Sequence, residues 1–264
     1  MNSVYLNAIG IVAPGIDNWP ACRDVLTEKI KHQPLPIPKF SPQALPVNER
    51  RRSTATIRLA LQAATEAINN SSVAAENIAT VFATSNGDLE ISSRICNALT
   101  MPERPVSPTD FHNSVHNAAS GYWSIGSHCH LPSSSLSAGD ASFSAGLLET
   151  ITQVLNESQP VMLVAYDQPP PDIFANDKTV TAPFSVALVI TPQQTDNSRA
   201  KLKVQATDHK EAPGLSIESL EVIRRGNPAG QALLLLDLAA RQSIAHCQLP
   251  YHNGSSLLVD YLPC

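Results

Sequence analysis

This sequence lacks paired cysteines, long apolar runs and an excess of positive charge. Because no two cysteines form a CxxC pair, the sequence predicts neither a zinc ribbon nor a disulfide framework. This use of cysteine favours a location in the reducing cytoplasm. No apolar run approaches the roughly 18 residues of a membrane-spanning helix, and the N-terminal segment lacks the basic region of a signal peptide. We therefore expect a cytoplasmic chain without a membrane span. The cysteines are scattered along it: Cys22, Cys96, Cys129, Cys247 and Cys264.

The charge balance excludes a further class of function. Acidic residues number 23 and basic residues 18, which gives a net charge of −5. Nucleic-acid-binding surfaces are strongly basic, so nucleic acid is not an expected partner. The histidine pairs His112 and His116, and His128 and His130, lack the glutamate of a metalloenzyme motif. We therefore expect no metal site, and nothing in the sequence indicates a cofactor.

Apolar residues are abundant, at 43% of the chain, and they recur with the periods of strands and helices in alternation. This order predicts an α/β fold of stacked layers. The polar stretch 191–200 is interpreted as a linker between a domain of residues 1–192 and a smaller strand–helix–strand unit of residues 201–264. Strands are predicted at 4–12, 78–84, 159–167, 182–190, 201–208 and 255–262, with a further short strand that starts near Ser133. Helices are predicted at 19–30, 53–69, 89–99, 113–127 and 228–245, and a proline-rich loop at 102–111.

The stretch from Ser133 to Gly146 predicts a short strand, a tight turn of small residues and the start of a helix. Many enzymes display a nucleophile at such a place, because the helix N-terminus directs N–H groups and a positive dipole toward it. Here the apex is Gly139, which has no side chain. Asp140 is interpreted as an acidic residue that interacts with the helix dipole. Ser137 lacks the GxSxG context of a hydrolase nucleophile.

Several short segments carry a resemblance to a known family. They are residues 8–15, 84–87, 117–121, 137–139, 161–165 and 187–190. In their order and spacing they resemble the N-terminal half of a β-ketoacyl synthase, in the thiolase-like group, over about residues 1–192. The resemblance implies a thiolase-like layered α/β/α fold with a complete N-terminal half and a truncated C-terminal half.

Two departures from that family are informative. Ser137-Ala138-Gly139 falls where the family carries Thr-Ala-Cys, so Gly139 occupies the position of the catalytic cysteine. The two histidine motifs of the family's second half are also absent. Without a thiolate no acyl-enzyme can form at this position. The resemblance therefore implies a subunit without condensing activity, which is not itself an enzyme.

A ketosynthase-like chain without the cysteine resembles the chain length factors of type II polyketide systems. This short form is most similar to the chain-length-factor-like subunits of aryl polyene clusters. The resemblance implies a heterodimer with an active β-ketoacyl-ACP synthase, with acyl carrier protein engaged through that partner. It also implies a dimer seam formed by Ser134, Ser135, Leu136, Ser137 and Ala138. The far end of the partner's acyl tunnel would then lie near Phe111, Ser114, Val115 and His116.

A second interpretation stays open from the sequence. The chain is compatible with a stand-alone thioesterase or acyltransferase that uses a thiolase-like scaffold. Such an enzyme needs a nucleophilic serine activated by a histidine. We would expect a serine–histidine contact near Ser137 or Ser142.

Overall fold

The computed structural model describes residues 3–174, 180–208, 213–252 and 254–264. Strands and helices alternate through most of this part of the chain. The strands are β1 (Val4–Val12), β2 (Ala79–Ala83), β3 (Ser133–Leu136), β4 (Val161–Asp167), β5 (Phe184–Thr191), β6 (Ala200–Asp208), β7 (Ala245–Pro250) and β8 (Ser255–Pro263). The helices are α1 (Trp19–Leu26), α2 (Val47–Arg52), α3 (Ala55–Asn69), α4 (Leu89–Thr100), α5 (Pro108–Asn113), α6 (Ala118–Ser127), α7 (Ser142–Glu157), α8 (Glu218–Arg225) and α9 (Ala232–Arg241).

The described strands form one mixed sheet in the order β3-β2-β4-β5-β1-β6-β8-β7. β2 runs parallel to both β3 and β4, whereas the other pairings are antiparallel. The C-terminal strands join the sheet where Val4, Tyr5 and Leu6 of β1 pair with the start of β6. The short strand β3 therefore lies at one edge of the sheet, directly before the turn at Gly139.

Both faces of the central strands are covered by helices. In β4, Val161, Leu163 and Ala165 belong to the core on one face, whereas Met162 and Val164 belong to the core on the other. Helix α7 packs on the first face, with α1 and α9 in the same core, and helices α3 and α6 pack on the second. Successive side chains of a strand point to opposite faces, so a strand covered on both sides is apolar throughout. The predicted layered α/β fold is confirmed.

Helix α3 approaches the sheet so closely that one strand position admits only glycine. A Cβ atom added to Gly10 in β1 would lie 2.1 Å from the carbonyl oxygen of Ala63 in α3. This separation is far below van der Waals contact, and the obstacle is helix backbone that cannot rotate away. Gly10 therefore sets the spacing between the sheet and the helix that covers it.

The helix predicted over residues 113–127 begins only at Ala118, as α6, and a separate helix that was not predicted, α5, precedes it. Helix α5 starts inside the predicted proline-rich loop, because Ser107 caps it by accepting a hydrogen bond from the Asp110 N–H and Pro108 occupies its first turn. It ends where the buried side chain of Asn113 turns inward and donates a hydrogen bond to the Arg52 carbonyl, 2.9 Å away. The intervening residues 114–117 form a short loop that carries three of the four predicted tunnel residues, whereas Phe111 lies in α5.

The segment 201–264 contains more elements than the predicted strand–helix–strand. Helix α8 precedes α9, and the predicted helix over 228–245 ends at Arg241. Gln242 terminates it in the left-handed conformation with φ of 50°, and its N–H bonds to the Leu238 carbonyl. The chain then returns as β7, antiparallel to β8. The prediction missed β7 because its alternation is short and interrupted by polar residues.

Candidate functional site

The turn at Gly139 has the predicted strand–turn–helix geometry. Gly139 has φ of +55° and begins a short 3-10 turn that leads into α7. The Ser142 hydroxyl holds this turn, because it donates a hydrogen bond to the Gly139 carbonyl (2.7 Å) and accepts one from the Ala138 N–H (3.0 Å). A Cβ atom at Gly139 would meet no atom within 4 Å. The position is therefore open to solvent, and nothing but the backbone conformation opposes a side chain there.

The serine hydroxyls near this turn form hydrogen bonds with backbone groups. Ser137 donates a 2.6 Å hydrogen bond to the carbonyl oxygen of Ser85, and Ser142 is occupied as described above. Within the described part of the chain, no histidine hydrogen-bonds to either serine. A serine nucleophile needs such a base, so the contact expected of a stand-alone hydrolase is not found here.

Beneath the turn, Asp167 is a buried carboxylate that the sequence analysis did not identify as a site residue. Its Oδ1 atom accepts three hydrogen bonds of 2.8 Å each, from the Thr84 hydroxyl, the Ser85 N–H and the Ser85 hydroxyl. Burial raises the pKa of Asp167 to about 6, although these hydrogen bonds oppose the shift. The sequence feature that could have identified Asp167 is its position as a charged residue at the end of an otherwise apolar strand, Val161 to Tyr166.

The C-terminal segment is attached at the same place. The side-chain amide of Asn227 donates hydrogen bonds to the carbonyls of Asp167 (3.3 Å) and Ala182 (2.8 Å). Its oxygen accepts from the Ala229 N–H at 2.9 Å and so caps the turn that leads into α9. Asn227 is 1% exposed. The buried Asn227 amide thus links the end of β4 and the segment just before β5 to the C-terminal helices.

Three of the four predicted tunnel residues line one cavity of about 100 Å³. Ser114, Val115 and His116 lie on its wall, between the start of α4 and the start of α6. Phe111 is not part of the lining; its ring is 70% exposed on α5. Val115 is 52% exposed, so it contributes both to the cavity and to the outer surface. The structure thus brings together a cavity wall and an exposed apolar patch on the same short segment.

Two polar contacts hold this segment in position. The Arg94 guanidinium of α4 makes a two-pronged contact with the Asp110 carboxylate of α5, with distances of 3.1 and 2.8 Å. Hydrogen bonding to Asp110 raises the pKa of Arg94, so the guanidinium stays charged. The buried Asn113 accepts a 3.1 Å hydrogen bond from the Tyr122 hydroxyl of α6. The loop that carries Ser114, Val115 and His116 is therefore anchored at its N-terminal end.

Strand β3 contains three of the five predicted seam residues, Ser134, Ser135 and Leu136, and it has one strand neighbour, β2, among the described strands. The carbonyl oxygens of Pro132 and Leu136 accept hydrogen bonds from the backbone N–H groups of Thr80 in β2 and of Thr84 directly after it. Because backbone groups alternate in direction along a strand, the N–H and carbonyl of Ser135 point to the opposite, open side. Ser137 and Ala138 continue past the strand and are exposed. An open strand edge is a template for pairing with another chain.

The described residues include no group of three or more His, Cys, Asp or Glu side chains arranged to hold a metal ion. In the same part of the chain, no helix is long and apolar enough to cross a membrane.

These observations define a class: a layered α/β scaffold of the thiolase type, with Gly139 at the apex of the strand–turn–helix that leads into α7. The chain belongs to the β-ketoacyl synthase family, because the model of that family's N-terminal domain matches residues 18–240. No curated protein sequence shows significant similarity to this chain.

Solved structures share the fold over nearly the whole chain. A chain of the ketosynthase ApeO in complex with its chain length factor ApeC, from Xenorhabdus doucetiae, superposes with a TM-score of 0.74 and 23% identity, covering 98% of this chain and 100% of that one. The ishigamide ketosynthase/chain length factor gives a TM-score of 0.73 at 12% identity, with 99% of each chain covered. A β-ketoacyl synthase from Burkholderia phymatum gives 0.61 at 13% identity, covering 91% of this chain and 71% of that one. The predicted thiolase-like fold is confirmed.

Proposed function

We propose that this chain is a non-catalytic chain length factor subunit. It pairs with an active β-ketoacyl-ACP synthase and shapes that partner's acyl tunnel, in aryl polyene biosynthesis. The observation that carries the proposal is Gly139, which stands at the apex of an intact strand–turn–helix where a ketosynthase would present its cysteine. A scaffold that keeps its geometry and lacks its nucleophile is suited to structural work for a second chain.

The structural neighbours support this role. One similar chain comes from a complex between a ketosynthase and its chain length factor, and the superposition covers that chain completely. Another comes from a ketosynthase/chain length factor pair, and a third from a ketosynthase complex with its acyl-carrier protein. The present chain therefore has the length and fold of a member of such a pair.

The proposed dimer seam is the open edge of β3, continued by Ser137 and Ala138. Its Ser134 side chain already accepts a hydrogen bond from Gln153 at 3.1 Å, and Ser135 contacts the Ser120 hydroxyl. The backbone N–H and carbonyl groups on the open side of β3 have no partner strand. Strand addition by the edge strand of the partner would satisfy them and continue the sheet across the dimer.

The proposed tunnel end is the loop between α5 and α6. Ser114, Val115 and His116 line the cavity, and Phe111 is exposed beside them. Side-chain bulk at these positions would set how far the partner's acyl chain can extend. Acyl carrier protein is expected to engage the pair through the active partner, and the expected location is the cytoplasm. No cofactor is needed for this role.

Co-expression with the cognate β-ketoacyl-ACP synthase tests the proposal directly. We expect the two proteins to elute together from size exclusion as a heterodimer, and condensation on acyl carrier protein to require both. The matched control is a ketosynthase that forms homodimers, which should not take up this chain. A well-folded monomer that does not bind the cognate ketosynthase would contradict the proposal, as would condensation by this chain alone.

A further inference from the structure

A serine–histidine pair lies where the segment after α1 meets the start of α8, away from the turn at Gly139. The Nδ1 atom of His32 is 2.8 Å from the hydroxyl oxygen of Ser219, and its Nε2 atom is 2.8 Å from the carbonyl oxygen of Pro14. His32 is 7% exposed, whereas Ser219 is half-buried. The two residues are 187 positions apart, so no local sequence pattern indicates their contact.

The contact with Pro14 sets the direction of the hydrogen bond between His32 and Ser219. A carbonyl oxygen only accepts hydrogen bonds, so the Nε2 atom of His32 carries a hydrogen and donates it to Pro14. In the neutral imidazole, Nδ1 then has a free lone pair and accepts the hydrogen of the Ser219 hydroxyl. A serine that donates to a histidine, with the histidine oriented by a third group, is the arrangement that activates a serine nucleophile.

Both residues of the pair line an open cleft of about 570 Å³. The apolar side chains on its wall are Val25, Ile30 and Ile217. Its charged groups are two carboxylates, Glu28 and Glu218, and one ammonium group, Lys31. Because negative charge is in excess, an anionic substrate is disfavoured. The cleft therefore suits a small neutral molecule with an apolar part.

The start of α8 supplies hydrogen-bond donors beside the serine. Ser219 is the second residue of this helix, and the N-cap residue Ile217 makes no side-chain capping bond. The backbone N–H groups of Glu218 and Ser219 have no acceptor among the described residues, as is usual in the first turn of an uncapped helix. Backbone donors of this kind stabilise the oxyanion that forms when a serine attacks a carbonyl carbon.

We propose that Ser219 is a nucleophile that hydrolyses small neutral carboxylic esters, with His32 as its general base. The Ser219 oxygen bonds to the ester carbonyl carbon while its proton passes to Nδ1 of His32. The bond from that carbon to the alcohol oxygen then breaks, and the alcohol leaves with the same proton. Water attacks the acyl group, gives one proton to His32 and releases the carboxylic acid, and the proton returns to Ser219. This activity is separate from condensation and does not rest on the proposed function, since neither residue belongs to the proposed seam or tunnel end.

A fluorophosphonate probe tests the nucleophile on the full chain without a partner. The serine oxygen displaces fluoride from phosphorus, so intact mass spectrometry should show one added phosphonyl group per chain, and peptide mapping should place it on Ser219. p-Nitrophenyl acetate should be hydrolysed by the wild type and not by Ser219→Ala. In His32→Gln the side-chain amide replaces Nε2 as a donor to Pro14 but supplies no base. This variant should be labelled about a hundredfold more slowly, because a positioned general base contributes at least roughly that factor.

Ser216→Ala is the matched control, because Ser216 lines the same cleft and is exposed, but its hydroxyl contacts the Glu28 carboxylate at 3.5 Å. It should leave the labelling rate unchanged. An unlabelled wild type with a cooperative melt, or a label mapped to another residue, would overturn the proposal and leave the pair as a structural link between Pro14 and α8. Both results come from the wild type, so they hold even if a variant fails to fold. Ester hydrolysis that survives Ser219→Ala would overturn it equally.

Discussion

Asp167 accepts two hydrogen bonds from Ser85, one from its backbone N–H and one from its hydroxyl, both 2.8 Å long. The carbonyl of Ser85 in turn accepts the hydroxyl of Ser137, just beyond β3. A chain of polar contacts therefore runs from β4 through the end of β2 to the edge strand. Because each link is a short contact to a buried or half-buried group, the carboxylate fixes the position of the turn at Gly139.

This carboxylate makes stability depend on pH in an unusual direction. The folded-state pKa of Asp167 is about 6, raised by burial from an ordinary value near 4. The folded protein therefore binds a proton more readily than the unfolded chain, so its contribution is greatest below pH 4 and declines as pH rises through 6. Relative to Asp167→Asn, which does not titrate, the wild type should lose on the order of 3 kcal/mol of unfolding free energy between pH 4 and pH 7. Urea denaturation of both proteins across this range measures the difference, and a constant difference would contradict it.

Glu221 should show the opposite dependence. Hydrogen bonds from Arg224 hold its pKa near 2, assisted by the Leu215 N–H and by Arg225. Because this pKa is lowered in the folded state, the ionised Glu221 carboxylate stabilises the fold above pH 4.5, and this stabilisation is lost as pH falls toward 2. Glu221→Gln should therefore unfold more easily than the wild type at pH 7, with the gap closing toward pH 2. Thermal melts at a series of pH values test this, and a gap that persists in acid would show that charge is not the cause.

A side chain at Gly139 should be tolerated but should not confer activity. Gly139→Ala places a Cβ in open space, so its cost arises from the positive φ alone and should be about 1 kcal/mol. Gly139→Cys should behave alike in denaturation and should remain inactive without a partner, because the thiol is only one of the groups that condensation requires. Gly10→Ala is the contrasting variant, since its Cβ would collide with the α3 backbone and should prevent folding. Condensation by isolated Gly139→Cys would be the contrary outcome.

The substitution Ser135→Pro should weaken binding to the partner ketosynthase without disturbing the fold of this chain. The backbone N–H of Ser135 points to the open side of β3, so Ser135→Pro removes no hydrogen bond to β2 and should leave the fold intact. It removes a donor from the proposed seam and should weaken heterodimer formation about tenfold or more. Ser135→Ala is the matched control, because it loses the same hydroxyl and keeps the N–H. Equal affinities of the two variants for the ketosynthase, measured by interferometry, would exclude β3 as the seam.

Bulk at the proposed tunnel end should shorten the products of the pair. Val115→Trp enlarges a side chain that is 52% exposed and lines the cavity, so the variant should fold normally and terminate extension earlier. Val222→Trp is the control, since Val222 is 56% exposed on α8 and does not line this cavity. Mass spectrometry of the released products gives the chain lengths. Unchanged lengths in Val115→Trp, with pairing intact, would remove this position from the tunnel.

Local patterns predicted most of the elements and failed at identifiable places. The apolar runs predicted β2, β4 and β5 correctly, because a strand covered on both faces is a continuous run of apolar residues without alternating polar positions. The loop 114–117 was wrongly predicted as helical, since the end of α5 depends on the hydrogen bond from Asn113 to a carbonyl 61 positions away. The same residue types could have continued a helix. Helix α5 itself was within reach, because Ser107-Pro108 is a recognisable helix start.

The sequence by itself determined the strand–helix order, the family, and the glycine at the apex of the strand–turn–helix at Gly139, because these are properties of residues close together in the chain. Only the tertiary structure decided that β3 lies at a sheet edge, that Asp167 binds Ser85 82 positions away, and that Tyr166 and Asp88 line one cavity. The physical reason is that periodicity reports which face of an element is buried, whereas it carries no information on which distant side chain meets it there. For the same reason, the pKa of Asp167 follows from burial and cannot be read from its neighbours in sequence.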